Sequence, residues 1–504
     1  MLLLVLSWAC RKDFDFATAS GQLRFSKDTV FLDTVFTNIG SSTYTLKVYN
    51  LQNEDVFIPS IRLANGTDSR YRLNVDGVPG KTFDEVPLLA RDSLFIFVET
   101  TIDITQVGGS EFLYTDAIVF EGSEQTQEVP LVTLVKDAHF LYPQVFSDGS
   151  TESLLLGLDE NGDEIRLEGF LLTDDELEFT AEKPYVIYGY AGVPEGRTLR
   201  MAPGTRVHFH NASGILVEAG ASLQINGMLS TDSVALENEV IFEGDRLETV
   251  LENVAGQWGT VWITPGSVGN TINHLTIKNA TIGLLVDGDP TQSDQVLQLD
   301  NSQILNSATT NLWGRTAHVE STNSIFGSSG DISLYCNLGG RYGFKHCTIA
   351  NYWTSGFRNA PALAIDNTVS LPGGPTFQED LFAADFSNCI IAGNRNVELG
   401  LLNNTTNLFE YTFLNCSFRF NDTNGSFTED PLYDFTDLNR FINPLLNPEL
   451  DFTLPNNNVF ALGANSEAID QGDPATALEV PTDLLGIDRT SAPDIGALER
   501  QNGN

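Results

Sequence analysis

The sequence predicts an all-β protein in which an immunoglobulin-like β-sandwich is followed by a right-handed parallel β-helix solenoid. Three observations support this prediction. A short segment recurs at steps of 21 to 27 residues across residues 275–416, and no helical periodicity interrupts it. The first third of the chain instead contains short alternating runs separated by turn-forming residues.

The repeat places a small or apolar residue at seven aligned positions: Leu275, Ser302, Ser324, Cys347, Thr368, Cys389 and Cys416. Because strand side chains alternate and adjacent coils lie about 4.8 Å apart, these residues should stack in an inward-facing row. Asparagines near the start of each segment should lie at the turns or just outside them, since Asn tolerates left-handed backbone. They are Asn273, Asn301, Asn323, Asn367, Asn388 and Asn415.

The domain organisation follows from where these patterns begin and end. Residues 20–138 have the strand spacing of an immunoglobulin-like sandwich, and they contain no Cys that could form an inter-sheet disulfide. The predicted divisions are a signal and tether at 1–19, the sandwich at 20–138, a linker at 139–184, the β-helix at 185–440 and a closing cap at 441–504.

The first residues, MLLLVLSWA before Cys10, resemble the end of a bacterial lipoprotein signal. The charged segment 11–15 resembles the tether of surface lipoproteins from Bacteroidetes. The resemblance implies a lipid on Cys10 and export to the outer membrane or cell surface, with the membrane contacted through that lipid. The alternative is an ordinary secretion signal that is removed.

Segments 199–210, 214–227 and 240–245 resemble the opening coils of pectate-lyase-like β-helix proteins. Segments 468–474 and 481–486 resemble the closing part of secreted bacterial right-handed β-helix repeat proteins. Together the resemblance covers about residues 185–500 and implies the architecture. Enzymes on this fold cleave acidic polysaccharides by lysis or hydrolysis, but the fold does not fix the function.

Catalytic and metal-binding residues are not assigned by the sequence. The coils contain no Gly-His-Gly or Asn-Thr-Asp motif, and their acidic residues share no repeated offset. These acidic residues are Asp287, Asp289, Asp300, Asp331, Asp366 and Asp385. No cofactor is predicted, although five carboxylates could hold a structural Ca²⁺ or serve in turns and caps. They are Asp470, Asp473, Asp483, Asp488 and Asp494.

One segment, residues 335–358, concentrates basic and aromatic groups in an otherwise acidic chain. Aromatic rings can pack on sugars, and Arg or Lys can hold a carboxylate. The candidate ligand-binding residues are Arg341, Tyr342, Lys345, His346, Tyr352, Trp353 and Arg358. Alternation from the inward Cys347 predicts that His346 lies on the outer surface. Alternatively, these rings pack the coil and the cations balance nearby carboxylates.

The formal net charge is −40, from 67 acidic and 27 basic residues. Such a charge argues against nucleic acid and anionic lipid as partners. The predicted function is non-catalytic binding or adhesion to an extracellular polysaccharide or surface protein. The alternative is a polysaccharide lyase or another carbohydrate-active enzyme acting on acidic polysaccharide. Cys389 and Cys416 should lie in adjacent coils, as buried thiols or, alternatively, as a disulfide.

Overall fold

The computed structural model describes residues 16–103, 111–159, 161–371 and 373–501. The chain divides into two compact units. One contains residues up to Ala138 together with Arg246–Glu252, and the other contains His139–Asp245 and the chain from Asn253 onward. Strands predominate in the described residues, whose only α-helix is Pro474–Glu479. No helix in this part of the chain is long and apolar enough to span a membrane.

The N-terminal unit contains two sheets. Six strands form the first: Ala17–Thr18, Val56–Leu63, Glu111–Glu121, Gln127–Lys136, Val30–Phe36 and Thr82–Leu88. Five strands form the second: Arg24–Phe25, Tyr44–Tyr49, Ser93–Thr100, Tyr71–Val75 and Val78–Gly80. Val30 and Ile58 of the first sheet share one buried cluster with Leu46 and Ile96 of the second. Alternating apolar residues on both sheets therefore build a shared core.

The C-terminal unit contains three long sheets that the chain visits in turn. Sheet 1 contains His139–Leu141, Tyr185–Ile187, Arg206–Phe209, Val240–Gly244, Leu275–Lys278, Gln303–Leu305, Ile325–Phe326, Thr348–Asn351, Ile390–Gly393, Ser417–Phe418 and Leu445–Leu446. Sheet 2 contains Ser153–Leu158, Glu164–Leu171, Tyr190–Val193, Gly214–Val217, Val261–Ile263, Ile282–Asp287, Thr310–Arg315, Leu334–Asn337, Leu363–Asp366 and Leu399–Leu402. Sheet 3 contains Glu178–Phe179, Thr198–Met201, Ser222–Asn226, Asn270–Asn273, Leu297–Asp300, His318–Thr322, Gly340–Lys345, Leu381–Ser387, Thr412–Leu414 and Phe441–Ile442. Successive strands in each sheet pair in parallel, except the first two of sheet 2, so the unit is a parallel β-helix.

The remaining elements are short. Two antiparallel hairpins pair Thr368–Ser370 with Thr376–Gln378 and Phe452–Leu454 with Val459–Leu462. The 3₁₀ turns are Gly66–Asp68, Asp174–Glu176, Thr249–Leu251, Pro431–Tyr433 and Pro455–Asn457.

The inward row of sheet 1 follows the predicted register for most coils. The backbone N–H groups of Leu275 and Cys389 donate to the side chains of the next members, Ser302 and Cys416, over 3.1 and 3.4 Å. Cys336, Cys347, Cys389 and Cys416 are buried and free. Parallel stacking therefore leaves these cysteines as thiols, as the sequence favoured.

Thr368 is the exception in this row. It lies in the hairpin formed with Thr376–Gln378, and Thr348–Asn351 pairs directly with Ile390–Gly393. Cys347 and Cys389 are therefore adjacent, 42 residues apart in the chain. The prediction of two coils of 21 residues each is wrong, because these residues form one coil that carries an inserted hairpin.

Four of the six asparagines adopt the left-handed backbone of the turns, and the other two lie directly beside or within a bend, as predicted. Left-handed backbone occurs at Asn301, Asn323, Asn388 and Asn415. It does not occur at Asn273 or Asn367. The equivalent turns at the first and fourth aligned positions are instead occupied by His274 and His346, with φ of 48° and 52°. An imidazole thus takes an asparagine's place at two turns of the solenoid.

Residues 139–184, predicted to be a linker, contain strands that begin all three sheets. His139–Leu141 pairs with Tyr185–Ile187, and Glu164–Leu171 pairs with Tyr190–Val193. Phe170 is buried in the core of the β-helix. The acidic residues that suggested a linker lie mainly in turns and on exposed positions, while the apolar residues between them form the strands.

The C-terminal segment, predicted to close the solenoid, runs along the outer face of sheet 1. Asn415 and Asn323 donate through their side-chain amides to the carbonyls of Gln471 and Thr482, both over 2.8 Å. Ala497 donates to Thr348 Oγ1 over 3.1 Å. This segment therefore covers side chains that point away from the core of the coils.

Candidate functional site

The predicted ligand-binding residues do not converge on one surface. Tyr342 is buried in the core, where its hydroxyl lies 3.1 Å from the carbonyl oxygens of both Gly314 and Gly339 and has either as an acceptor. Tyr352 is half-buried and packs against Phe452 and Phe460 of the C-terminal segment. Both rings therefore serve the packing role that the sequence left open as the alternative.

His346 points away from the core, as alternation predicts, but the prediction that it lies on the outer surface is wrong. Its side chain has no exposed area, because the C-terminal segment covers this face of sheet 1. Its Nε2 lies 2.9 Å from Asn388 Nδ2. Burial, reinforced by Arg489, lowers the pKa of His346 to about 2, so the imidazole is neutral.

The four remaining candidates have four different surroundings. Lys345 pairs with Glu479 at 2.5 Å, and the Arg341 guanidinium lies 4.7 Å from the centre of the Phe382 ring. Trp353 is half-buried in a loop after sheet 1. Arg358 is buried and pairs with Glu398.

A cleft of about 770 Å³ opens on the outer face of sheet 2 and is the candidate functional site. Its floor includes Tyr335, Ala364 and Gly400, which are neighbours in successive coils. An aromatic residue is thus followed by two positions with little or no side chain. The loss of side-chain volume along this row leaves space that the loops 394–397 and 421–427 enclose.

Tyr335 and Asp366 form the polar edge of the cleft. The Tyr335 hydroxyl donates to Asp366 Oδ2 over 2.7 Å, and Oδ1 accepts from Asn337 Nδ2 and from the Leu338 N–H over 2.9 and 2.7 Å. Burial raises the pKa of the Asp366 carboxyl and the pKa of the Tyr335 phenol. The phenol is therefore protonated at neutral pH and held in one orientation.

Arg358 supports one wall from behind. It contacts both carboxylate oxygens of Glu398, at 2.7 and 2.8 Å, and both side chains are almost fully buried. Glu398 in turn accepts from the backbone N–H groups of Arg395 and Ala362, each over 2.8 Å. The ion pair thereby fixes the loop that carries Asn394, Arg395 and Asn396 into the cleft.

The cleft also presents amide groups to a ligand. Among the described residues, none is a hydrogen-bonding partner of the side chains of four asparagines that line it: Asn359, Asn396, Asn421 and Asn424. Each amide offers two donors and one acceptor with two lone pairs. An amide-rich wall beside an aromatic ring suits a ligand with many hydroxyl groups and an apolar face.

Two further predictions concern metal ions and charged groups. Within the described ranges, no group of three or more His, Cys, Asp or Glu residues could hold a metal ion. The Asp483 carboxylate accepts backbone N–H groups of Leu485 and Ile487, and Asp473 caps the helix Pro474–Glu479. These contacts are of the turn and cap kind that the sequence offered as the alternative to Ca²⁺.

Sequence reasoning identified parts of the cleft without identifying the cleft. Tyr335 lies in the segment it singled out, and Asp366 was among the acidic residues it noted. It missed the asparagines: Asn359 directly follows that segment, and the other three come from loops further along the chain. The available signal was the row Tyr335, Ala364 and Gly400, which becomes readable only once the 42-residue coil is known.

No protein-family model and no curated protein matches this chain. Among solved structures, it is similar to the catalytic unit of a GH87 alpha-1,3-glucanase from Streptomyces thermodiastaticus. That match has 11% identity, covers 81% of this chain and 85% of that chain, and has a TM-score of 0.28. The catalytic domain of a GH87 alpha-1,3-glucanase in complex with tetrasaccharides is similar at 9% identity, with 79% and 89% of the two chains covered and a TM-score of 0.19.

A family 123 glycoside hydrolase from Clostridium perfringens is similar at 8% identity and a TM-score of 0.16, over 22% of this chain. The chain spans 26% of that hydrolase and 32% of the VesB protease of Vibrio cholerae. Likenesses with TM-scores this low support no inference about activity. The β-rich architecture with long parallel sheets rests on the strand pairing itself.

Proposed function

We propose that the C-terminal unit binds a glycan in the cleft on sheet 2 without cleaving it. The observation that supports this proposal is the combination of a fixed aromatic edge at Tyr335 with four asparagine amides that have no partner among the described residues. Sugars present hydroxyl groups that both donate and accept, together with apolar C–H faces. Amides and an aromatic ring complement these two features.

The charge of the cleft favours a neutral glycan over an acidic one. Asp366 and Asp422 line it together with one cation, Arg395, and the whole chain carries a net charge of −40. A uronate would enter against this negative field. The proposal thus narrows the class of extracellular polysaccharide that the sequence suggested.

The lyase alternative requires a base that removes a proton beside a uronate carboxylate. Tyr335 is one cleft residue that could serve as this base. The Tyr335 phenol is a poor base, however, because its pKa is raised and its proton is donated to Asp366. Appearance of unsaturated uronate ends on pectin, alginate or glycosaminoglycans would favour lysis over simple binding.

We also propose the cellular setting suggested by the sequence: a surface lipoprotein of the outer membrane, anchored through Cys10. Cys10 lies outside the described residues. The same resemblances support a right-handed, pectate-lyase-like β-helix of the kind found in Bacteroidetes, carried by an immunoglobulin-like N-terminal sandwich. Incorporation of labelled palmitate, and its loss in Cys10→Ser, tests the anchor.

The cleft is tested by filling it. Ala364→Phe places a second aromatic ring on the cleft floor, in the coil next to Tyr335. This ring should fill the cleft and abolish binding to neutral glycans on an array. Gln224→Phe is the matched control, because it places the same ring at an outward position of sheet 3. Binding by wild type and control but not by Ala364→Phe supports the proposal. Equal binding by both variants, or none by wild type, contradicts it.

A further inference from the structure

The outward row that forms the cleft floor continues beyond the cleft along sheet 2. Tyr335 is the neighbour of Trp313 in the preceding coil, Trp313 follows Leu285, and Leu285 follows Trp262. Trp262, Trp313 and Tyr335 are half-buried, whereas Leu285 between them is buried. We call Trp262, Trp313 and Tyr335 the aromatic track.

Each ring of the aromatic track is held by the same contact. Trp262 Nε1 donates to Asp287 Oδ2 over 2.8 Å, and Trp313 Nε1 donates to Asn337 Oδ1 over 3.1 Å. Tyr335 makes the equivalent contact with Asp366. In all three cases the acceptor lies in the next coil, two residues beyond the ring's neighbour in register. Fixed rings contribute contact area to a ligand at little cost in side-chain entropy.

A polar row accompanies the track at the ends of the same strands. Asp287, Arg315, Asn337 and Asp366 are neighbours in successive coils. Arg315 pairs with Asp287 at 2.5 Å, and its guanidinium lies 5.5 Å from the centre of the Trp313 ring. The ion pair balances its own charge, so this surface gains no excess cation that would select an acidic ligand.

The length of this surface sets the size of its ligand. Five coil steps separate Trp262 from Gly400 on the cleft floor, which corresponds to about 24 Å at the usual strand spacing. A single sugar ring spans only a fraction of that distance. We infer that the aromatic track binds the continuation of a linear neutral polysaccharide whose other part occupies the cleft. This inference rests on the proposed function.

Affinity measured against ligand length tests the inference. The probes are neutral oligosaccharides of one to eight units from the gluco, manno and xylo series, together with their parent polysaccharides, measured by calorimetry. In the series that the cleft binds, affinity should rise with length beyond the units that fill the cleft. Trp262→Ala should reduce the ratio of long-chain to short-chain affinity about tenfold.

Trp262→Ala is preferred to Trp313→Ala because Trp313 stacks on Tyr335, at 5.7 Å between ring centres, and its loss could disturb the cleft. Phe357→Ala is the matched control, since this ring is 89% exposed and does not belong to the track. Thermal unfolding checks that each variant is folded.

A short oligosaccharide that binds as tightly as a long one, or an unchanged affinity ratio in Trp262→Ala, overturns the inference and leaves the proposed function standing. Absence of binding by the wild type to any of the probes overturns the proposed function, and this inference with it.

Discussion

At the scale of single residues, the buried pair of Arg358 and Glu398 connects stability to the cleft. Their side chains are 2% and 0% exposed. Glu398 accepts two backbone N–H groups in addition to both Arg358 contacts, so its lone pairs are well used. Such a pair contributes little net stability, because the attraction between its charges is offset by the cost of burying them. Removing one member, however, leaves an unpaired buried charge.

Arg358→Ala should lower the free energy of unfolding by about 3 kcal/mol, because Glu398 would stay buried without its cation. It should also weaken glycan binding, since the loop 394–397 loses its support. Urea denaturation measures the first effect. Arg166→Ala is the control: this exposed Arg pairs with Glu164 and should cost less than about 1 kcal/mol. Similar losses in the two variants would contradict the argument.

The direction and the exposure of the His346 side chain have different causes. Alternation gives its direction, while its exposure depends on the C-terminal segment that lies over it. The neighbouring coil has Asn388 at the same left-handed turn, with φ of 54°. Asparagine is therefore compatible with this backbone, and it cannot titrate.

His346→Asn should make the protein less sensitive to acid. The folded pKa of about 2 lies below the ordinary value of 6.5, so the unfolded chain binds the proton first. The stability contributed by neutral His346 is complete above pH 6.5 and is lost as pH falls toward 2. Between pH 7 and pH 4.5 the free energy of unfolding should fall by about 2 kcal/mol less in the variant than in wild type. Urea denaturation at the two pH values measures this difference. An identical fall in wild type and variant would contradict the prediction.

At the scale of elements, the C-terminal segment behaves as a cover with its own buried charges. Arg489 is fully buried and pairs with Glu499 at 3.3 Å. Burial outweighs this attraction and raises the pKa of Glu499 to about 7, while it lowers the pKa of Arg489. The ionised carboxylate is therefore a destabilising feature of the cover.

Glu499→Gln should remove a pH dependence of opposite sign to that of His346. The folded protein keeps the Glu499 proton above pH 4.5, where the unfolded chain releases it, so stability falls as pH rises from about 4.5 to about 7. Between pH 5 and pH 8 the free energy of unfolding should fall by on the order of 2 kcal/mol more in wild type than in the variant. Urea denaturation at the two pH values measures this difference. Glu479→Gln, which changes an exposed carboxylate, is the control.

The hairpin of Thr368–Ser370 and Thr376–Gln378 is an inserted element that resembles a coil in sequence. Its Asn-Thr-Val sequence fits the repeat, yet its strands pair with each other and contribute nothing to sheet 1. Local pattern could not distinguish a coil from a hairpin, because both require the same alternation. Only the pairing of Thr348 with Ile390 decides between them.

At the scale of the whole molecule, a net charge of −40 should oppose the folded state through mutual repulsion. Added salt screens this repulsion, since the Debye length falls to about 3 Å at 1 M. Raising the NaCl concentration from about 0.05 M to about 0.5 M at pH 7.5 should raise the Tm by about 2–4 °C. The rise in Tm should be smaller at pH 4.5, where the carboxylates are partly protonated. Equal rises in Tm at both pH values, measured by calorimetry, would contradict this.

The sequence by itself determined the β-rich architecture, the inward row through Cys347, Cys389 and Cys416, and most of the left-handed asparagine turns. These features depend on alternation and local backbone preference, which a sequence pattern records directly. Tertiary structure decided which outward faces remain open. It buried His346 beneath the C-terminal segment and left Tyr335 beside Asn396 and Asn424 in a cleft. Periodicity fixes where a side chain points, whereas its exposure depends on what distant part of the chain packs over it.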